Sequence, residues 1–270
     1  VASLYDTAGS IPITVLTTSS ESDVIHGQTH FRGQNNVANL TYHLGDGNDT
    51  ITAHDTNTNI YAGAGDDEIT VPVWDNGNYF IHGGDGNDYL NISISTEFGE
   101  VTFVGGKGSD NLFNYHTKAK QNIIYESKED SQKYNDTADR IMYQEGMTFY
   151  FNEANFDRSE LVVKDMGYET FCLGTRSYFL DQEFIAAHTS SGGGYSHPDY
   201  GYFDRPTLIT DEEFVIFIRK GKDNLDISTI ENSIRFYSGS PESIGFENQV
   251  NEIINLNKTI SEDSGWVLLK

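Results

Sequence analysis

Four short stretches of the chain repeat the same order of glycine, aspartate and a large apolar residue. Glycine stands at positions two and four of each stretch, aspartate at position six, and isoleucine or leucine at position eight. The stretches are LGDGNDTIT (44–52), AGAGDDEIT (62–70), GGDGNDYLN (83–91) and GGKGSDNLF (105–113). Glycine allows tight turns that gather carbonyl oxygens, and aspartate adds carboxylate oxygens, so the repeat predicts a site for a hard cation.

The repeat also fixes which residues are candidates for that site. They are Gly45, Asp46, Gly47 and Asp49 in the first copy, Gly63, Gly65 and Asp67 in the second, Gly84, Asp85, Gly86 and Asp88 in the third, and Gly106, Gly108 and Asp110 in the fourth. Plain turns use the same residue types, but they do not require one pattern four times over. Asp46 and Asp85, at position three, are either further ligands or exposed charges.

The four copies resemble the calcium-binding nonapeptide of RTX proteins, G-G-x-G-x-D-x-U-x, in which U is a large apolar residue. The close resemblance covers residues 44–113. It implies an all-β fold, a right-handed parallel β-roll or β-solenoid, with calcium ions between the turns of successive coils. Each ion would take ligands from two copies.

The spacing departs from the RTX pattern. Successive sixth-position aspartates are 18, 21 and 22 residues apart, which is one full coil rather than nine residues. Only one edge of the roll then carries glycine-rich turns, and we expect a single row of about three or more Ca²⁺ ions. Asp67 and Asp88 would each serve two ions, so Asp67→Ala should release more calcium than Asp110→Ala.

A short strand precedes each glycine turn, and period-two alternation divides its residues between two faces. The inward residues are Tyr42, Ile60, Ile81 and Phe103. The outward residues are His43, Tyr61, His82 and Val104. The outward column is either a stack of neighbouring coils or a catalytic or metal-binding strip on a solenoid face.

The repeat weakens on both sides of these four copies. Residues 13–26 have the same strand–turn–strand shape, with Asp23 at position six and Ile25 at position eight. Residues 122–143 place strands around a long acidic loop, and the glycine motif is lost after residue 144. We therefore expect a β-roll over residues 1–143 and a β-rich cap or small second domain over residues 144–270.

The composition limits the partners and the environment. The formal net charge is -24, which excludes nucleic acid as a partner and disfavours anionic lipid. The chain has no apolar run long enough to span a membrane. Cys172 is the single cysteine, so no disulfide forms within the chain. The chain begins at Val1 without a signal-peptide pattern, and we expect it to be a trimmed domain or a piece of a longer protein.

A glycine-rich, aromatic segment around residues 190–206 is a second candidate site. Tyr195, Tyr200 and Tyr202 are displayed among glycines there, an arrangement that suits a glycan or another cell-surface ligand. The alternative is a packed surface loop with no ligand.

Together these features predict a calcium-binding β-roll module of a secreted, extracellular bacterial protein. The resemblance implies type I secretion of an unfolded chain that folds on calcium outside the cell. The module would be a structural or binding part of an adhesin, a toxin or a surface protein. The alternative is a polysaccharide lyase or epimerase that uses an outer face of the solenoid.

Overall fold

The computed structural model describes residues 15–18, 20–26, 40–53, 58–72, 77–93, 99–115, 119–131, 138–167, 170–177, 179, 195–197, 201–203, 214–220 and 225–244. Its strands are β1 (Val15–Thr17), β2 (Val24–His26), β3 (Leu40–Asp46), β4 (Thr50–Thr52), β5 (Thr58–Ala64), β6 (Glu68–Pro72), β7 (Asn78–Asp85), β8 (Tyr89–Ser93), β9 (Glu100–Lys107), β10 (Asn111–Tyr115), β11 (Lys120–Tyr125), β12 (Asp139–Met142), β13 (Met147–Asn152), β14 (Leu161–Gly167), β15 (Thr170–Thr175), β16 (Tyr195–His197), β17 (Gly201–Phe203), β18 (Val215–Arg219) and β19 (Ile234–Tyr237). Helix α1 spans Ile227–Ser233, and 3₁₀ turns span Lys128–Asp130 and Pro241–Ser243.

The strands form a β-solenoid with two long sheets. One sheet has the order β1-β3-β5-β7-β9-β11-β13-β19, and all of its strands are parallel. The other has the order β14-β15-β18-β12-β10-β8-β6-β4-β2, and it is parallel from β18 to β2. The chain crosses from one sheet to the other at each glycine turn. The predicted all-β parallel solenoid is confirmed.

The core lies between the two sheets and follows from the alternation in the sequence. The predicted inward residues Tyr42, Ile60, Ile81 and Phe103 are all buried. The eighth-position residues Ile51, Ile69, Leu90 and Leu112 are buried opposite them. Burial of such side chains contributes about 1.5–3 kcal/mol each, so this column of apolar residues is a main source of stability.

The solenoid sheets continue beyond residue 144. Strands β13 and β19 extend the first sheet, and β18 extends the second. One hydrophobic cluster runs from Ile25 to Ile230 and includes Phe151. The boundary expected between residues 143 and 144 stays a prediction, although both the sheets and the core pass it.

The second sheet ends in an antiparallel hairpin. Strands β14 and β15 pair with each other, and β15 pairs with β18 in antiparallel register. Every residue of β15 is buried, including Cys172. Burial raises the pKa of the Cys172 thiol well above its usual range, so this thiol is held in its neutral form.

Candidate metal centre

The sixth-position aspartates lie one above another along one edge of the solenoid. The backbone N–H of Asp49 donates a hydrogen bond of 2.7 Å to Oδ1 of Asp67 in the next coil. The N–H of Asp67 donates to Asp88 (3.0 Å), and the N–H of Asp88 donates to Asp110 (2.8 Å). Each carboxylate therefore uses one oxygen to tie its coil to the preceding one.

The row is longer than the glycine motif. The N–H of Asp23 donates to Oδ1 of Asp49 (2.6 Å), and the N–H of Asp110 donates to Oδ1 of Asp139 (2.9 Å). We call Asp49, Asp67, Asp88, Asp110 and Asp139 the carboxylate row. Asp110 is therefore not the last carboxylate of the row, because β12 places Asp139 in the next coil.

Asp139 was missed as a site residue because its coil has no glycines at positions two and four. The signal in the sequence was the apolar residue two positions later, since Ile141 pairs with Leu112 as an eighth-position residue. Beyond Asp139 the pattern ends, and its backbone N–H donates to the Ser131 hydroxyl (2.9 Å). A neutral group thus stands where another carboxylate would continue the row.

The second carboxylate oxygen of four row residues has no hydrogen-bond partner in the described part of the chain. Oδ2 of Asp49, Asp67, Asp88 and Asp110 is buried and makes no hydrogen bond with the described part of the protein. The four side chains are at most 2% exposed. A buried acceptor without a partner costs about 1–3 kcal/mol, and an ionised one costs more. Four such oxygens in a line need a neutralising partner.

The electrostatics of the row give the same result. Burial raises the pKa of Asp67 to about 6 and that of Asp88 to about 7, each with a smaller contribution from neighbouring carboxylates. The pKa of Asp110 is raised well above its usual range by burial and by the charges of Asp139 and Asp88. The folded row without a cation therefore favours bound protons.

Two oxygens beside the row lie close to one point. A Cβ added to Gly83 would lie 2.2 Å from Oδ2 of Asp88 and 2.4 Å from the carbonyl oxygen of Gly105. These two oxygens come from successive coils. Because both lie so near the same Cβ position, they are at most about 4.6 Å apart. An ion with Ca²⁺–O distances of about 2.3–2.6 Å reaches both of them. The pair is an incomplete ligand set of the right chemistry.

Side chains alone do not complete such a set. Within the described ranges, no three Asp, Glu, His or Cys side chains converge as a metal-binding group. Each coil brings one row carboxylate to the edge, so the remaining oxygens for an ion would be backbone carbonyls. Calcium accepts carbonyl ligands readily, whereas zinc prefers nitrogen and sulfur.

The turn glycines are required by the backbone itself. Gly84 has φ +118°, and a Cβ there would lie 1.8 Å from the carbonyl oxygen of Gly63 in the preceding coil. Gly86 is similar, with φ +149° and a Cβ contact of 1.9 Å with the Gly65 carbonyl oxygen. The coils can approach this closely only because these positions carry no side chain.

The third-position residues lie outside the row, on the surface. Asp46 and Asp85 are exposed, and Lys107 Nζ lies 3.7 Å from Asp85 Oδ1 and 3.7 Å from Glu129 Oε2. Lys107 is itself the third-position residue of its coil. The Asp85 carboxylate therefore forms an exposed ion pair with Lys107 and does not lie at the buried edge.

The fifth-position residues form a second ladder that the sequence analysis did not anticipate. The N–H of Asn87 donates to Oδ1 of Asp66 (2.8 Å), and the N–H of Ser109 donates to Oδ1 of Asn87 (3.0 Å). In the coil before, the N–H of Asp66 donates to Oδ1 of Asn48 (3.1 Å). Two parallel ladders, one buried and one exposed except at Ser109, therefore fix the register of this edge.

The outward column on the first sheet is a stack. The His43 and Tyr61 rings lie 4.9 Å apart at 12°, and the Tyr61 and His82 rings lie 6.3 Å apart at 26°. Val104 continues the column and is buried in a cluster with Tyr237 from the C-terminal part of the described chain. The rings of the column therefore stack from coil to coil, and a catalytic or metal-binding role for this face stays a prediction.

The aromatic candidates of the second half are only partly described. Tyr195 lies in β16 and Tyr202 in β17, and these strands form a two-stranded antiparallel sheet. Tyr200 lies outside the described residues. Their expected role in ligand binding stays a prediction.

Comparison with known protein families and with curated proteins gives no match for this chain. In the part of the chain that the structure describes, no helix has the length and apolar character needed to cross a membrane.

Proposed function

We propose that this chain is a calcium-binding β-solenoid of the RTX type, and that calcium ions along the carboxylate row stabilise its fold. The observation that carries the proposal is the line of four buried Oδ2 atoms, from Asp49 to Asp110, that have no hydrogen-bond partner among the described residues. Asp49, Asp67, Asp88 and Asp110 would hold the ions together with backbone carbonyls of the glycine turns. Bound calcium would supply the positive charge that the buried row lacks.

Calcium binding and folding would be coupled. The row exists only when the coils are stacked, because its oxygens come from residues 18–29 positions apart in the sequence. An ion that binds the folded state alone stabilises it by mass action, by about 2.7 kcal/mol at a concentration a hundredfold above its Kd. Without the ion, the carboxylates repel one another in a chain of net charge -24.

This coupling suits a bacterial protein that is exported unfolded and folds outside the cell, where calcium is abundant. The lack of any possible disulfide within the chain leaves metal binding as the alternative cross-link between coils. We propose that the module is a structural or binding part of a secreted adhesin, toxin or surface protein. A glycan or another cell-surface component would be its ligand.

A calcium titration of the full chain, followed by far-UV circular dichroism from chelator to millimolar calcium, tests the proposal. We expect a cooperative gain of β signal or of thermal stability with calcium. Magnesium is the matched control, since it demands a small octahedral site and should have a much weaker effect. A spectrum and a melting temperature that are the same with chelator and with calcium would overturn the proposal.

A further inference from the structure

The first position of the repeat differs among the four coils. It is Leu44 in the first coil, Ala62 in the second, Gly83 in the third and Gly105 in the fourth. The strand register places these residues one above another, because the glycines that follow them pair in order along β3, β5, β7 and β9. The side chain at this position is thus lost stepwise from the first coil to the third.

In the third and fourth coils, the first position faces the second carboxylate oxygen of the aspartate in its own turn. A Cβ at Gly83 would lie 2.2 Å from Oδ2 of Asp88, and a Cβ at Gly105 would lie 2.1 Å from Oδ2 of Asp110. In the third and fourth coils, the buried oxygen therefore occupies the space that a side chain would need. This oxygen is also the one without a hydrogen-bond partner.

The first two coils hold hydrocarbon at the same position. Leu44 and Ala62 are fully buried and belong to the main hydrophobic cluster. Their carboxylates, Asp49 and Asp67, have the same unpartnered oxygen. Hydrocarbon beside a carboxylate takes up room that a cation and its further oxygen ligands need, and it offers no ligand itself.

We propose that the row is graded, with tight calcium sites at the third and fourth coils, weak sites at the first and second, and the first-position residue as the determinant. This inference rests on the proposed function and specifies which of its sites bind. Calcium would load first around Asp88 and Asp110, and the N-terminal coils would be the last to be stabilised.

Ala62→Gly is the direct test, because the Cβ of Ala62 is the only difference between the second and third coils at the first position. Calcium binding to the full chain is measured by isothermal titration calorimetry, and bound ions are counted by equilibrium dialysis. We expect one additional tightly bound ion, or an affinity of the second-coil site raised by about 10- to 100-fold, the range typical of changes close to metal ligands.

Ala64→Gly is the matched control. It makes the same change two residues later in β5, at the third position, which lies away from the row. Both variants increase the freedom of the backbone equally, so only the effect on the first position should separate them. The opposite change, Gly83→Ala, should lose the third-coil ion.

The outcomes separate this inference from the proposed function. If the wild-type chain binds no calcium, the proposed function fails and the inference fails with it. If the wild-type chain binds calcium but Ala62→Gly and Ala64→Gly have the same affinity and ion count as the wild type, only the grading is wrong. A lower affinity in Ala62→Gly than in Ala64→Gly would also overturn it.

Discussion

Asparagine at position 88 tests the central claim about the carboxylate row, because it changes charge with little change in shape. Oδ1 of Asp88 accepts the N–H of Asp67 at 3.0 Å, and the asparagine side-chain oxygen can accept the same bond. Oδ2 of Asp88 is buried and has no hydrogen-bond partner in the ranges that the structure describes, and Asp88→Asn replaces it with a neutral amide nitrogen. The variant therefore separates the role of the carboxylate as a hydrogen-bond acceptor from its role as a buried charge.

The expected effect in chelator is a gain in stability. Burial raises the pKa of Asp88 from 3.8 to about 7. At about 1.4 kcal/mol per pKa unit, holding this charge in the folded state near neutral pH costs about 2–4 kcal/mol. Asp88→Asn removes that cost, so its melting temperature in chelator should rise by about 5–15 °C, given about 2–4 °C per kcal/mol for a chain of this size.

The expected effect of calcium is the reverse. The variant lacks one carboxylate ligand, so the increase in melting temperature on adding calcium should shrink. The loss is about 2.7 kcal/mol for each ion that no longer binds, at a calcium concentration a hundredfold above the Kd. Thermal unfolding of both proteins, in chelator and in millimolar calcium, measures the two effects in one experiment.

Asp85→Asn is the control for Asp88→Asn, since Asp85 lies in the same turn but is exposed. It should change stability by less than about 0.5 kcal/mol in either condition. If Asp88→Asn is less stable than the wild type in chelator, the charge of the Asp88 carboxylate does not destabilise the folded state. If its response to calcium equals that of the wild type, Asp88 is not a ligand.

Three further predictions follow from the stacked coils. Gly84→Ala should destabilise the protein by at least about 3 kcal/mol, because its Cβ would lie 1.8 Å from a backbone carbonyl oxygen. The control Gly146→Ala, with φ +88° and open space around the Cβ, should cost about 1–2 kcal/mol. Urea unfolding compares the two variants, and equal costs would contradict the close stacking of the coils. In chelator, the free energy of unfolding should fall as pH rises from about 4 to about 7, because burial raises the pKa of Asp67 to about 6 and that of Asp88 to about 7. The stability due to their bound protons is complete below pH 3.8 and is lost as pH rises through the two raised pKa values. A free energy of unfolding that rises over this range would refute the assignment. Phe151→Ala should cost about 3–5 kcal/mol and lower the melting temperature of a single unfolding transition, because Phe151 lies in the core shared by both halves of the chain. Two separate transitions in calorimetry, with only one of them shifted, would support the boundary near residue 144 instead.

The repeat predicted the edge and the core of the solenoid from residue types alone. Ile25 was placed at position eight of a degenerate coil, and it pairs with Ile51 in the sheet. Phe103 was placed inward and is buried. These predictions succeeded because a coil that stacks in register must present the same residue types at the same positions.

The parts that could not be predicted depend on contacts distant in sequence. Strand β18 pairs with β12, although Val215 lies more than 70 residues beyond Met142. Several apolar segments between them fit the pattern of the next strand equally well. Asp139 joined the row without the glycines that identify the other coils. The fifth-position ladder is formed by Asn48, Asp66, Asn87 and Ser109, which share hydrogen-bonding ability but no single residue type.

The constancy of the glycine edge has a consequence for how this solenoid tolerates change in length. Every glycine turn runs from a second-position glycine to a sixth-position aspartate in five residues, as from Gly45 to Asp49 and from Gly106 to Asp110. Among the four coils with glycine turns, the variation in length from 18 to 22 residues therefore lies between one aspartate and the next turn. Peptides inserted on the side opposite the row would be presented at spacings set by the stacked coils, which makes that side a natural place for displaying foreign sequences in a fixed order.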